Sequence, residues 1–435
     1  MEALRITGGT PLRGTVAVAG AKNAALPILA ATLLATSPVR LLGVPHLLDV
    51  ATLGLLLRRL GVSVARCPDD SLVVETIDDR PRRADDRLVR RMRASFCVLG
   101  PLLARRGKAD VPLPGGCQLG PRPVDLHLRG LAALGAEICI EHGYVKARVK
   151  RLRGADIDLM GPHGPTVTGT ANVLSAAVLA AGTTTLHGAA VEPEIVDLGR
   201  FLRAIGADIQ GLGTPELVIR GVTELRGATH RIIPDRIEAA TLLAAGIITG
   251  GQVTVTGVEP AQMGASLGCF AAMGVPLAIG ADRVTVRPAV TGLLPVDAMA
   301  LPYPGLPTDV QPQVAALCCL AGGVSRLRDR VFPQRQTHVP ELIRLGAQIQ
   351  VTADEAIVRG VPRLLAADVV APDLRAAAAL LLAGLAADGR TTLRGVQHLD
   401  RGYDRLDAKL RQLGAVIERV KIQRSRAPWE ATSQR

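Results

Sequence analysis

A lysine opens one apolar run of this chain, in Gly20-Ala21-Lys22-Asn23-Ala24-Ala25. Helix starts carry free N–H groups and the positive end of the dipole, so a cation there is unfavourable unless an anion is shared. A merely solvated lysine is the plainer reading. A cysteine stands in Pro112-Leu113-Pro114-Gly115-Gly116-Cys117-Gln118-Leu119-Gly120-Pro121-Arg122. The prolines and glycines predict an extended loop with Cys117 accessible, and Arg122 is near enough in sequence to stabilise a thiolate. The next segment, Pro123-Val124-Asp125-Leu126, offers a rigid backbone edge beside a planar guanidinium, which can sandwich a flat base and bond its edge.

Charged groups then recur in Glu192-Pro193-Glu194, Pro234-Asp235-Arg236-Ile237-Glu238, Pro307-Thr308-Asp309, Asp373-Leu374-Arg375 and Asp400-Arg401-Gly402-Tyr403. Asp235, Asp309 and Asp373 could each be an N-cap. Arg375 and Arg401 fit less easily, because arginine at a helix start opposes the dipole. Two guanidinium forks converging on one carboxylate would account for them.

These groups need elements to hold them, and the chain repeats one. An aliphatic-Gly-Ala/Val signature recurs around Gly61, Gly135, Gly206, Gly274, Gly346 and Gly414, at intervals of 68 to 74 residues. Each glycine falls where an amphipathic helix must end with positive φ, as after Asp49–Leu60, Val124–Leu134 and Arg405–Leu413. Each unit also carries a nearly all-apolar helix: Ala24–Ala35, Ser95–Leu103, Asn172–Ala181, Ile237–Ile248, Val314–Leu320 and Leu374–Ala387. Helices this apolar on every side are expected to be buried. Short strands such as Thr15–Val18 and Gln252–Val255 fill the gaps. Six units predict two domains of three, and the repeat fades after about Lys421. A binding scaffold would also repeat, but these inter-helix segments differ chemically from unit to unit, which favours an enzyme.

Composition narrows the class. With 48% hydrophobic and 21% charged residues the 435-residue chain is globular, and its length suggests two domains. Aromatics at 2% argue against single-stranded nucleic-acid binding, which needs stacking platforms. The net charge of +12 reads either as a soluble basic surface or as a cavity for anions. No signal-peptide layout opens the chain, and the longest apolar run, Ala376–Ala387, is too short to span a bilayer. A cytoplasmic protein with reduced thiols is expected, and Cys97, Cys139, Cys269, Cys318 and Cys319 read as core packing. The scattered histidines and the absence of CxxC predict no metal and no cofactor.

With these segments in view, the sequence resembles the enolpyruvyl transferase family, nearest its UDP-N-acetylglucosamine 1-carboxyvinyltransferase branch. The resemblance spans about Leu4 to Val420. It rests on Gly-Ala-Lys-Asn-Ala-Ala, Met-Arg-Ala-Ser, Pro-Gly-Gly-Cys, Arg-Pro-Val-Asp-Leu-His, Glu-Pro-Glu-Ile-Val-Asp, Pro-Asp-Arg-Ile-Glu, Pro-Thr-Asp, Asp-Leu-Arg and Asp-Arg-Gly-Tyr, in family order. The related 5-enolpyruvylshikimate-3-phosphate synthases lack the Pro-Gly-Gly-Cys loop and the uridine segment.

The resemblance implies an α/β fold of two inside-out α/β barrel domains, each of three βαβαββ-like units. One domain would cover 22–233, the other 1–21 and 234–435, with 424–435 a tail. It implies transfer of the enolpyruvyl group of phosphoenolpyruvate to the 3-hydroxyl of UDP-N-acetylglucosamine, the first committed step of peptidoglycan synthesis and the target of fosfomycin. Lys22, Arg93, Arg122, Arg375 and Arg401 would surround phosphoenolpyruvate. Arg122, Pro123, Val124, Asp125 and Leu126 would hold the uridine, and Thr166, Val167, Thr168 and Val331 would line the nucleotide and sugar site. Asn23 and Asp309 would face the acceptor hydroxyl, Asp309 as base. Cys117 would protonate the substrate methylene or add to it covalently; Lys22 and Arg401 complete the implied catalytic set. The partners implied are small molecules only, with no nucleic acid and no membrane.

Two segments depart from the family pattern. Pro333-Gln334 replaces a usual Glu-Asn near the sugar, and Gly164 stands where many members place a lysine that meets diphosphate. The following Thr166-Val167-Thr168-Gly169-Thr170 still offers hydroxyls and backbone donors for phosphate. A protein with these losses could act on a simpler nucleotide, and enolpyruvyl transferases of nucleoside-antibiotic pathways that use uridine monophosphate resemble the family in that way. A non-catalytic uridine-nucleotide-binding paralogue is the remaining alternative.

Overall fold

The computed structural model describes residues 2–115 and 124–422. One copy of the repeat is uninterrupted: strand Asp297–Ala300, helix Gln311–Cys318, strand Val324–Asp329, helix Val339–Arg344, then strands Gln348–Val351 and Ala356–Arg359. The first two strands pair in parallel, Asp297 opposite Arg326, and the remaining pairings are antiparallel. Four other units build the same four-stranded sheet, and the sixth has three strands, Lys108–Pro112, Tyr144–Arg148 and Glu137–Glu141. There a single parallel bridge from Arg83 to Asp110 stands in for the missing strand. The sheets are separate, and no closed barrel forms among the described residues. The expected barrel detail therefore reduces to a mixed α/β fold.

Three units borrow strands from distant parts of the chain. Glu2–Thr7 enters between Arg390–Arg394 and Val416–Lys421. Arg13–Ala17 pairs with Gln252–Thr256, and Thr229–Arg231 with Val39–Leu42. The chain therefore crosses twice at one place, where Gly20 bridges Pro234 and the Ala21 N–H donates to the Ile233 carbonyl at 2.7 Å. A Cβ on Gly20 would lie 1.9 Å from the Gly43 carbonyl oxygen, so only glycine fits the crossing.

The buried helices fall into two apolar cores. One gathers residues between Ala21 and Ile233; the other gathers Leu4 to Val16 with Ile237 to Ile417. In the Leu374–Ala386 helix every residue from Arg375 to Leu385 is buried. Each leucine so placed contributes about 1.5–3 kcal/mol. The six repeat glycines all take positive φ, between 78° and 113°.

Two helices begin three or more residues before their apolar runs. The third starts at Val167, capped by Thr166, and the fifth at Gln311. In both, polar residues at the first turns are themselves buried (Thr170, Gln311 and Gln313), so hydropathy alone misplaced the starts. Cys139 is corrected too. It lies exposed on its strand, its thiol near Glu141, whereas Cys97, Cys318 and Cys319 are buried and Cys269 is partly so. No described helix is long and apolar enough to cross a membrane.

Candidate active site

Lys22 is the first residue of the Lys22–Ala31 helix and is nearly buried. Its Nζ lies 2.7 Å from Asp49 Oδ2, and Asp49 Oδ1 accepts from Arg401 Nε at 2.9 Å. One carboxylate thus joins a lysine and an arginine 379 positions apart in the chain. Burial holds the Lys22 ammonium below its usual pKa; Asp49 opposes that, and Arg375 and Arg401 add to it. Asp235 caps the Arg236–Ile248 helix through the Ile237 and Glu238 N–H groups, and its other oxygen accepts from the Lys22 N–H at 3.2 Å. The lysine that seemed misplaced at a helix start is therefore flanked by two carboxylates.

Asp309 is not an N-cap. The helix after it has Val310 at that position and no side-chain cap. Instead Asp309 takes two guanidinium groups, Arg335 Nη1 on Oδ1 and Arg375 Nη2 on Oδ2, each at 2.8 Å. Asn23 Nδ2 reaches Oδ2 at 3.4 Å from the other half of the molecule. Convergence of two forks on one carboxylate is present, but the pair is Arg335 and Arg375, while Arg401 goes to Asp49. Burial alone would favour the protonated acid; the two guanidiniums outweigh it and hold the Asp309 carboxyl well below the usual range. Asp373 does cap its helix, accepting from the Arg375 and Ala376 N–H groups.

The structure therefore brings Lys22, Asn23, Asp309, Arg375 and Arg401 together around Asp49 and Asp309. Sequence reasoning missed Asp49 and Arg335. Lys22, Arg335, Arg375 and Arg401 there pair with Asp49 and Asp309, and Asp235 lies against the Lys22 N–H, so four cations gather at one place.

The nucleotide-site candidates gather at a second place. Val124 precedes the Asp125–Ala133 helix, and Leu126 packs on Gly161, where an added Cβ would sit 3.0 Å from Leu126 Cδ1. The Met160–Pro165 turn leads into Thr166, the cap of the Val167–Ala177 helix. Its hydroxyls are engaged in structure. Thr166 Oγ1 accepts from the Gly169 N–H, and Thr170 Oγ1 donates to the Thr166 carbonyl. Thr168 Oγ1 meets His127 Nε2 at 3.2 Å. Asn172 Nδ2 lies 3.0 Å from His127 Nδ1. Since an amide nitrogen donates, His127 accepts at Nδ1 and donates from Nε2 to Thr168. Burial drops its pKa to about 3, so it is neutral. Thr170 is thereby spent on the helix, whereas Thr166 and Thr168 use only their oxygens as acceptors and keep their hydroxyl protons to donate.

Gly164 of that turn has φ +95°, and a Cβ on it would lie 2.7 Å from Pro302 Cγ of the second half. Tyr303 follows, with the Arg236 guanidinium 5.4 Å from its ring centre; Arg236 also makes a two-pronged pair with Glu194 at 2.9 and 3.1 Å. Val331 lies in a turn held by Asp329, which accepts from the Val331 and Phe332 N–H groups and from Thr308 Oγ1. This places Val331 near Asp309 in the fold. Arg93 begins the Arg93–Val98 turn of helix, close enough to His127 to lower its pKa further. Cys117, Arg122 and Pro123 lie outside the described residues. Among the described residues no cluster of His, Cys, Asp and Glu could hold a metal ion.

Cations gathered from two halves built of one repeated unit form a place suited to an anion. Residues 6–410 match the family described as EPSP synthase (3-phosphoshikimate 1-carboxyvinyltransferase). The enolpyruvyl transferase NikO from Streptomyces tendae is 30% identical, with a TM-score of 0.87 over 97% of this chain and 99% of that one. Two structures of EPSP synthase from Acinetobacter baumannii, at 18% and 19% identity, share the fold with a TM-score of 0.75 over 97% of this chain and all of theirs. The chain belongs to the enolpyruvyl transferase family, and it is an enolpyruvyl transferase.

Proposed function

We propose that this enzyme transfers the enolpyruvyl group of phosphoenolpyruvate to a hydroxyl of uridine monophosphate, releasing phosphate. The observation that carries the choice of acceptor is Gly164. Its positive φ and its contact with Pro302 leave no room for a side chain where diphosphate-using relatives are expected to place a lysine. Pro333 stands where the usual Glu of the family would put an acceptor-side carboxylate. The resemblance across nine motifs keeps UDP-N-acetylglucosamine as the competing acceptor, as in peptidoglycan synthesis.

The chemistry follows from the charges. Cys117, acting from the loop outside the described residues, delivers a proton to the methylene carbon of phosphoenolpyruvate. The electron-poor C2 that results is attacked by the acceptor hydroxyl as a carboxylate takes its proton. Asp309 is the base. Pinned between Arg335 and Arg375 it is a weak one, but the substrate carboxylate competes for Arg375 and Arg401. As it takes Arg375 over, Asp309 loses one of the charges that depress its proton affinity. The tetrahedral adduct then returns a methyl proton to the Cys117 thiolate and expels phosphate, with Lys22, Arg93, Arg122 and Arg401 bearing the leaving charge. Asn23 orients the hydroxyl. Val124, Asp125, Leu126, Thr166, Val167, Thr168 and Val331 line the nucleotide.

Phosphate release measured with phosphoenolpyruvate and either UMP or UDP-N-acetylglucosamine tests this reading. Turnover with UMP alone is expected. Turnover confined to the sugar nucleotide rejects the acceptor, and none with either rejects the uridine assignment. Cys117→Ser should abolish turnover and block alkylation by fosfomycin; unchanged turnover removes that residue from the reaction.

A further inference from the structure

Tyr403 is buried two residues after Arg401, and its hydroxyl meets three polar groups, each at 3.1 Å: Arg375 Nη1, Gln313 Nε2 and Thr241 Oγ1. Those partners come from three different buried helices, Leu374–Ala386, Gln311–Cys318 and Arg236–Ile248. All three are themselves buried.

The direction of every hydrogen bond in this knot can be deduced. Arginine and an amide nitrogen only donate, so Arg375 and Gln313 occupy the two acceptor positions of the phenol oxygen. The phenol proton is then left for Thr241. The Thr241 hydroxyl has its own proton on the Ile237 carbonyl at 2.8 Å, and its oxygen also accepts from Gln313 at 3.0 Å, so it is free to accept from Tyr403. The chain runs one way, from Arg375 to Tyr403 to Thr241 to the backbone of a buried helix. A guanidinium has a planar fork, so fixing Nη1 on Tyr403 and Nη2 on Asp309 fixes the plane and leaves only the remaining N–H groups to meet a substrate. Asp309 is the partner that substrate would displace; Tyr403 is the one that stays.

We propose that Tyr403 is a positioning residue for phosphoenolpyruvate: its hydroxyl holds the Arg375 fork in the plane that receives the substrate carboxylate while the Asp309 contact is exchanged. The segment carrying it supports the same task. Arg401 reaches Asp49 in the first half, and Asp404 accepts from the His46 N–H at 3.0 Å, also in the first half. A Cβ on Gly402 would lie 2.4 Å from Leu374 Cδ2, beside Arg375, so this segment is seated directly on the start of the Arg375 helix. Fork, loop and inter-half contacts are contiguous. The proposal rests on Arg375 binding phosphoenolpyruvate.

Tyr403→Phe removes one oxygen and keeps the buried ring, and is compared with Arg375→Lys and the double variant in steady-state phosphate release. Tyr403→Phe should raise KM for phosphoenolpyruvate about 10- to 100-fold, the loss expected for one hydrogen bond to a charged group, and leave KM for the nucleotide within about twofold. In the Arg375→Lys background the same change should cost less than about threefold, because the fork it serves is gone. Thr241→Ser, which keeps the acceptor hydroxyl, should behave as wild type. Equal losses for both substrates with a lowered Tm, or full additivity with Arg375→Lys, overturn the proposal and leave Tyr403 a packing residue. If Arg375→Lys alone leaves KM for phosphoenolpyruvate unchanged, the assignment of Arg375 itself is wrong.

Discussion

Around Asp49 and Asp309, six charged side chains from separate segments answer one another: Lys22, Asp49, Asp309, Arg335, Arg375 and Arg401. Around the Met160–Pro165 turn, by contrast, the contacts are those of shape. Gly161 meets Leu126, Gly164 meets Pro302, and neutral hydroxyls already hold caps and a buried histidine. The two regions can therefore do different work. Ion pairs are exchangeable, since a substrate anion can replace a carboxylate on a guanidinium without leaving a buried charge unpaired. A backbone pressed against a proline ring has nothing to exchange, and it selects by volume. Under the proposed function, charge at one end handles the reacting acid, and steric fit at the other chooses the acceptor.

The most damaging test of this contrast is at the charged end. Asp309→Asn keeps the shape but removes the proposed base and leaves Arg335 and Arg375 without their carboxylate. Loss of kcat by about 10³-fold is expected, within the usual range for a general base. The pH behaviour adds a sign. Asp309 has its folded pKa depressed, so the stabilisation from its ion pairs is present above the ordinary carboxylate pKa and lost only as pH falls through the folded value. Between pH 5 and 8 the stability difference between wild type and Asp309→Asn should therefore be flat. A slope in that interval, seen by urea unfolding at several pH values, would contradict the ion-pair geometry.

At the other end the expected effect is smaller and of another kind. Gly164→Ala places a methyl group against Pro302 and at positive φ, a strain of about 1–3 kcal/mol. KM for the nucleotide should rise about tenfold with KM for phosphoenolpyruvate unchanged. Pro302→Ala in the same chain removes the Cγ that is struck while leaving the φ strain, so it should recover only part of the loss. Full recovery would mean that conformation matters little there; no recovery would mean that the inter-half contact is not what constrains the turn.

The contrast also explains what the sequence could reveal. The six glycines and apolar helices were visible because helix ends and burial are local demands, set by φ and by hydropathy over a few residues. Lys22 and Arg375 were visible because each violates a local rule, cation at a helix start, and so required an anion; Arg401 was singled out by the same rule, but it closes the Gln397–Asp400 helix at its C-cap, where a cation suits the dipole. Asp49 violated nothing, since a carboxylate in the first turn of the Leu48–Arg59 helix is ordinary, and its two cationic partners lie 27 and 352 residues away. Arg335 was hidden for the same reason, inside a turn notable only for Pro333 and Gln334. Helix capping and ligand binding call for the same residue types, so only the fold shows that Thr170 donates to the Thr166 carbonyl while Thr166 and Thr168 serve as acceptors.

The subtlest expected effect concerns the scaffold behind the nucleotide region. His127 is buried and neutral, accepting at Nδ1 from Asn172 and donating from Nε2 to Thr168, so His127→Gln can mimic both bonds imperfectly. At pH 7.5 the variant should be less stable by about 1 kcal/mol. The sign then changes with acid. In the native state burial holds the His127 pKa at about 3, while an unfolded histidine titrates near 6.5. Between those values the unfolded chain takes up a proton that the native chain refuses, so stability conferred by the neutral imidazole is intact above about pH 6.5 and erodes as pH falls below it. Glutamine takes up no proton, so the variant escapes this erosion. His338, whose burial lowers its pKa to about 4, erodes wild type and variant alike and cancels from the difference. Urea unfolding at pH 7.5 and pH 5 should therefore show the gap between the two proteins shrinking or reversing in acid. A gap of constant size would mean that His127 is protonated in the folded protein, and the one-way path from Asn172 to Thr168 would have to be redrawn.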